Sequence, residues 1–298
     1  RPEQVDWGGE RVAILNLRII LLLFIAMLAV STSPIIARYL ENVPAVAISF
    51  WRMAFGALIL WIISIFKKQP PLTKINRNKT LLGGFLLGIH FALFFASLKL
   101  TTIANATFLG TLAPIFTFLI ERYFFKRNNK PIMVLGLSVA ITGAFIIVSN
   151  QFDFSSDYTL GNLLAVSCSL FLGIAFIISE NVRKSVTNIS YSRTLFSSAA
   201  ITLLGISLLT TTPIIGFSLY EFGGLFLLGL IPTIFGHGFM NYAVGFVSPT
   251  IVASAPMGEP ILATIWAYLL FNEFIGTPII IGGGFTLLGL IILTQKNK

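Results

Sequence analysis

The chain has 298 residues, of which 56% are hydrophobic and only 10% are charged. Soluble domains carry about a quarter charged residues, so this composition excludes an ordinary soluble fold and predicts an integral membrane protein. The net charge of +9 comes from short basic clusters between apolar runs, which argues against a nucleic-acid surface. The single cysteine, Cys168, excludes an intramolecular disulfide.

Ten apolar runs follow one another along the chain, most of them close to the roughly 20 residues that a helix needs to cross the hydrocarbon core. They are long and continuous rather than short and alternating, so they predict α-helices and not a β-barrel. The predicted fold is therefore all-α, with short connections and no soluble domain. The ten runs are 15–37, 44–66, 81–98, 102–122, 132–149, 161–180, 191–212, 222–240, 248–271 and 277–294.

The basic residues predict the orientation in the membrane. Sixteen of the twenty Lys and Arg residues fall on one side when the N-terminus is placed in the cytoplasm. Only Arg38 and Lys99 fall on the outer side, and Arg52 and Arg193 lie within predicted helices. Because cytoplasmic loops are enriched in Lys and Arg, both termini are predicted to be cytoplasmic, in the cell (inner) membrane.

Helix-breaking and small residues recur at a fixed spacing. Three pairs are 146 residues apart: Pro114 with Pro260, Gly136 with Gly282, and Gly143 with Gly289. This register predicts two five-helix repeats, 12–150 and 160–298, within one membrane domain. Five is an odd number, so the second repeat enters the membrane inverted, an arrangement typical of secondary transporters with a central site. The prolines and glycines are predicted to be structural, and the glycines to let the fifth and tenth helices pack closely.

Several short motifs resemble the drug/metabolite transporter superfamily, specifically its EamA-type branch with ten helices in two repeats. The resemblance covers nearly the whole chain and implies export of small metabolites such as amino acids through a central cavity. It does not fix the substrate. The motifs are Ser49-Phe50-Trp51-Arg52, Ala96-Ser97-Leu98-Lys99 with Ala104-Asn105-Ala106, Leu112-Ala113-Pro114 with Glu121-Arg122, and Gly258-Glu259-Pro260 through Asn272-Glu273.

Glu259 is the sharpest candidate for a site residue because it lies about ten residues into the ninth predicted helix. A carboxylate near the bilayer centre is costly unless it faces a cavity, a partner or a proton. We expect it to bind a cationic group of the substrate or to carry a coupling proton. The alternative is that a protonated Glu259 hydrogen-bonds a neighbouring helix. Pro260 removes one helix hydrogen bond and could free a carbonyl for the substrate.

The two histidines, His90 and His237, lie inside apolar runs. They can exchange a proton near neutral pH, although each taken alone is more often a packed core residue. Asn241 lies one turn after His237 on the same face, which favours a polar site there. Arg52 is too deep in the second helix for easy snorkelling. We favour a structural role, in which Arg52 bonds the carbonyl ends of neighbouring helices, over recognition of a substrate carboxylate.

Aromatic and small polar side chains complete the predicted lining of the cavity. Aromatic rings in such helices are usually packing residues, but solute pockets commonly include one or two. The hydroxyls and amides suit a zwitterion or a nucleoside-like solute equally well. The candidates are Phe94, Trp266, Ser33, Asn105 and Thr111.

No enzyme motif appears in the sequence: there is no His-Glu-x-x-His, Gly-x-Ser-x-Gly or Walker A pattern. The sequence therefore predicts a secondary transporter that exports small metabolites, with no cofactor and no metal. It would act as a monomer or homodimer in the lipid bilayer. A channel and an intramembrane enzyme are the alternatives. The absence of Asp from every predicted helix counts against an aspartyl-type enzyme, and the few intramembrane polar residues and the inverted repeat favour alternating access over a channel.

Overall fold

The computed structural model describes residues 9–127, 131–149, 155–272 and 275–294, and these residues are helical with short connections. The predicted contributions of Arg1, Lys130, Glu273, Lys296 and Lys298 lie outside the described residues. The helices are α1 (Gly9–Arg38), α2 (Ala45–Phe66), α3 (Lys74–Leu100), α4 (Ile103–Gly110), α5 (Ala113–Leu119), α6 (Pro131–Val148), α7 (Thr159–Arg183), α8 (Asn188–Leu209), α9 (Leu219–Leu228), α10 (Gly238–Ala243), α11 (Pro249–Ser254), α12 (Glu259–Phe271) and α13 (Thr277–Thr294).

Eight helical segments in the described part of the chain are long and apolar enough to cross a membrane. They correspond to the predicted first, second, third, fifth, sixth, seventh, eighth and tenth spans. The eighth span contains nine residues of π-helix, Gly229–His237, between α9 and α10. The all-α membrane fold predicted from the hydropathy is thereby confirmed.

The fourth and ninth spans differ from the continuous runs that the sequence predicts, because each is interrupted near its middle. In the fourth span α4 ends at Gly110 and α5 begins at Ala113, with Pro114 in its first turn. In the ninth span α11 ends at Ser254, and a 3₁₀ turn over Ala255–Gly258 leads into α12. Proline lacks the N–H that a continuous helix needs but is tolerated in the first turn. Pro114 in α5 and Pro260 in α12 therefore each fit the start of a new helix.

The repeat register extends to the backbone conformation. Lys126 (φ 50°) and Asn272 (φ 53°) are 146 residues apart, and both have the left-handed conformation that non-glycine residues seldom adopt. Each follows the end of an interrupted span. The two halves therefore share the interruption and the left-handed residue that follows the span.

Helices α6 and α13, one from each repeat, pack along a seam of glycines. A Cβ atom added at Gly143 would lie 2.3 Å from the backbone nitrogen of Thr286, and one at Gly289 would lie 2.3 Å from that of Ala140. Gly136 and Gly282 also lie close to the facing helix, where a carbonyl oxygen would be 3.0 and 2.5 Å, respectively, from the added atom. Backbones approach this closely only where small residues line both helices.

Replacing one seam glycine is expected to destabilise the protein. Gly289→Ala places a methyl group against the α6 backbone, and such overpacking costs about 1–3 kcal/mol. Gly284 is the matched control, because it lies in the same helix and a Cβ there meets nothing within 4 Å. Gly284→Ala should leave stability unchanged or raise it by up to about 1 kcal/mol through helix propensity. Thermal unfolding in detergent, followed by size-exclusion chromatography, compares the two. Equal melting temperatures would contradict the seam.

Candidate functional site

Arg52 occupies the centre of a polar cluster between the two repeats. Its side chain is buried, yet all three guanidinium nitrogens have partners. Nε donates to Thr233 Oγ1 (3.0 Å), Nη1 to Ser33 Oγ (3.1 Å) and Nη2 to the carbonyl of Pro232 (3.4 Å). The guanidinium also lies over the Phe91 ring, with Cζ 4.7 Å from the ring centroid. Arg52 thus joins α2 to α1, α3 and the π-helical part of the eighth span.

The two histidines flank this arginine. His90 Nδ1 lies 2.9 Å from the carbonyl oxygen of Cys168, which orients the ring. His237 packs edge-on against Phe91, with ring centroids 5.4 Å apart. The same phenylalanine ring also packs edge-on against His90, with centroids 4.8 Å apart. Both imidazoles are close enough to Arg52 for their charges to repel it when they are protonated. His90 and His237 come from different repeats, so the cluster spans the interface between them.

Glu259 is the first residue of α12, immediately after the 3₁₀ turn. The carboxylate is partly buried, and its charge attracts that of Arg52. No direct salt bridge joins these two side chains, although both lie in the described part of the chain. The two repeats thus contribute one buried cation and one partly buried carboxylate that no salt bridge joins.

Two more predicted residues belong to this cluster. Ser33 accepts the hydrogen bond from Arg52, and the Phe94 ring lies parallel to the His90 ring with centroids 6.4 Å apart. The structure thus brings together residues from α1, α2, α3, the eighth span and α12. It also adds Phe91 and Thr233, which the sequence did not single out as site residues because an aromatic or a threonine in an apolar helix is usually a packing residue.

The remaining predicted residues lie away from the cluster. Asn105 is fully buried and donates to Asn162 Oδ1 (2.8 Å), joining α4 to α7. Asn241 is also buried; its side chain donates to Ser192 Oγ (3.3 Å) and its carbonyl accepts from Arg183. Thr111 donates to the Phe108 carbonyl (2.9 Å) at the end of α4. These contacts satisfy polar groups between helices.

Trp266 lines an apolar cavity of about 740 Å³ between the first, eighth and ninth spans. Its Nε1 donates to Ser31 Oγ (3.0 Å). Tyr39 and Leu40, at the end of α1, and Tyr220, at the start of α9, lie at its outer end in the predicted orientation. In that predicted orientation the cavity lies in the outer half of the protein.

No group of three His, Cys, Asp or Glu side chains within 9–127, 131–149, 155–272 and 275–294 is arranged to hold a metal ion. Cys168 is buried and free within this region.

Ten helical spans in two repeats, with ionisable groups buried where the repeats meet, define a multi-pass membrane transporter rather than an enzyme. The model of the EamA-like transporter family matches the chain twice, over residues 17–149 and 159–295. The chain belongs to this family, which confirms the resemblance found in its motifs.

Similar proteins include named transporters. The pseudopaline exporter CntI of Pseudomonas aeruginosa is 23% identical over 257 residues, which cover 86% of this chain and 88% of the relative. An S-adenosylmethionine uptake transporter of Rickettsia conorii is 23% identical over 254 residues, covering 84% and 83%. A protein of known crystal structure shares the fold with a TM-score of 0.77 at 18% identity, over 93% of this chain and 96% of that one.

Proposed function

We propose that this protein is a secondary transporter that exports small zwitterionic metabolites, amino acids or related solutes, by alternating access. The observation that carries the proposal is the unbridged pair of Arg52 and Glu259 between the two repeats. An α-amino acid has a carboxylate and an ammonium group, which match a cation and an anion that do not already neutralise each other. Secondary transporters built from inverted repeats bind their solutes in this region.

The two charges have different roles in this proposal. Glu259 binds the ammonium group of the solute or carries a proton that drives its export. Three hydrogen bonds hold the Arg52 side chain, so its positive charge stays at a fixed position. His90 and His237 both pack against Phe91, the ring over which the Arg52 guanidinium lies.

The relatives support transport of small solutes but are named for different ones. One is named for export of pseudopaline and another for uptake of S-adenosylmethionine. For this chain, export of amino acids rests on the charge arrangement and on the family resemblance. Phe94 and Trp266 supply apolar surface for the body of the solute.

A counterflow screen in proteoliposomes tests the proposal. Vesicles loaded with one unlabelled solute are diluted into a trace of the same labelled solute, and transient accumulation of label marks an exchanging carrier. The panel contains amino acids, nucleobases and quaternary amines. We expect counterflow with amino acids. Counterflow with nucleobases or quaternary amines alone would refute the zwitterion, and ion conductance without counterflow would favour a channel.

The proposed orientation places both termini in the cytoplasm of the cell (inner) membrane, whether the protein is a monomer or a homodimer. Cysteines replacing Gly8 and Lys296, in a Cys168→Ser background, should not react with a membrane-impermeant maleimide added to intact cells. A cysteine replacing Asn42, on the exposed loop after α1, should react. Labelling at position 8 or 296 from outside would overturn this topology.

A further inference from the structure

A second ionic cluster lies at the opposite end of the molecule from the apolar cavity. Glu121 lies in a π-helical turn, Ile120–Phe124, that ends the fourth span, and it is fully buried. Its two carboxylate oxygens accept from Arg127 Nη1 and from Thr250 Oγ1. Thr250 belongs to α11 and is itself fully buried. One carboxylate thus joins the inner ends of the two interrupted spans.

Arg127 extends the cluster to a third span. Its Nη2 donates to both oxygens of Glu180, at 2.8 and 2.6 Å, near the end of α7. The chain reverses at Lys126, and the backbone nitrogen of Arg127 returns to the Glu121 carbonyl at 2.9 Å. The guanidinium is therefore positioned between two carboxylates that belong to different repeats.

This arrangement holds α5, α7 and α11 together at one end. The cluster crosses the repeat interface, because Glu121 and Arg127 belong to the first repeat and Glu180 and Thr250 to the second. In an apolar environment such ionised groups remain buried only while they are paired. Separation of the three helices would therefore break these pairs and expose Glu121 to water.

We propose that Glu121, Arg127, Glu180 and Thr250 form a latch that closes the inner end of the solute pathway. The inference rests on the proposed transport function, since alternating access requires one end to close while the other is open. The cavity near Tyr39 and Trp266 lies at the other end. The interruptions at Thr111 and at Ala255–Gly258 let the inner halves of the fourth and ninth spans move separately from their outer halves.

The test measures the distance between spin labels at the inner ends of the two repeats. Cysteines replace Tyr123 and Phe246, both exposed, in a Cys168→Ser background. Arg127→Gln removes the cation that joins the carboxylates, and its side chain is about one-third exposed, so folding should tolerate the change. We expect a longer-distance population about tenfold larger than in the parent, as for a minor state released from a closing interaction.

Lys184→Gln is the matched control. Lys184 also pairs with Glu180, at 3.2 Å, but the two residues lie on the same helix surface and their pair does not cross between spans. Its removal should leave the distance distribution unchanged. Thr250→Val, which removes only the hydroxyl from Glu121, should shift the distribution in the same direction as Arg127→Gln.

The distances are recorded in reconstituted protein without solute, so they do not depend on the identity of the substrate. If Arg127→Gln is monodisperse and gives the parent distribution, the latch is refuted, whatever the counterflow screen shows. If the distance increases but no solute exchanges, the latch stands as a conformational element and the proposed function fails.

Discussion

Glu259→Gln is expected to abolish transport driven by a pH gradient. The substitution keeps the size and hydrogen-bonding capacity of the side chain but removes its charge and its titration. Both proposed roles of Glu259, cation binding and proton coupling, need the carboxylate. Proteoliposomes with an imposed pH gradient and the solute found by counterflow provide the measurement, and we expect flux to fall at least about tenfold, which corresponds to about 1.4 kcal/mol.

Exchange at equal concentrations then separates the two roles. If Glu259 carries the coupling proton, the Gln variant should still exchange solute across equal concentrations. If it binds the ammonium group, exchange should collapse together with gradient-driven flux. A Glu259→Gln variant that behaves like the parent in both assays would mean that Glu259 is a structural residue. Thr264→Val, in the same helix, is a suitable control because its hydroxyl bonds only the Pro260 carbonyl.

Arg52→Met is expected to have the largest effect on stability within the cluster. It removes three hydrogen bonds, to Ser33, Thr233 and Pro232, and leaves Glu259 without its countercharge. Interhelical hydrogen bonds in membranes average about 0.6 kcal/mol each, so the bonds alone predict a loss of about 2 kcal/mol. Thermal unfolding in detergent should show a lower melting temperature, and counterflow should be lost.

A double variant tests whether the two charges act as a pair. Removing one member of a buried pair leaves an uncompensated charge, so removing the second should restore part of the stability. Arg52→Met with Glu259→Gln should therefore melt above Arg52→Met alone, while transport remains absent. Additive melting shifts would show that Arg52 and Glu259 are energetically independent.

Hydropathy was sufficient to predict the all-α membrane fold, and the short motifs were sufficient to predict the family. The interruptions of the fourth and ninth spans were not predicted, although Pro114 and Pro260 were noted. A proline that kinks a continuous helix and a proline in the first turn of a new helix have the same sequence signature. The distinction depends on the backbone before the proline, which packing decides.

The sequence predicted several residues of the candidate site but not how they are placed relative to one another, for a physical reason. Arg52, His90, His237 and Glu259 stand out because charge deep in an apolar run is rare. Their mutual placement depends on how helices from both repeats pack, which no single helix encodes. Glu121 was noted only as part of a family motif, and Glu180 was not singled out, because charged residues near the ends of spans are ordinary. Only the structure brings both carboxylates to Arg127.

The glycine seam fixes the separation of α6 and α13, so this helix pair can serve as a distance reference within the protein. At the seam glycines the backbone of one helix lies directly against the other helix, so the two helices cannot slide past one another without a clash. Labels on the exposed flanks of these helices, at Leu135 and Ile291, should keep one separation in every functional state. Any distance that changes elsewhere can be measured against this fixed pair, which separates rearrangement of the molecule from altered label mobility.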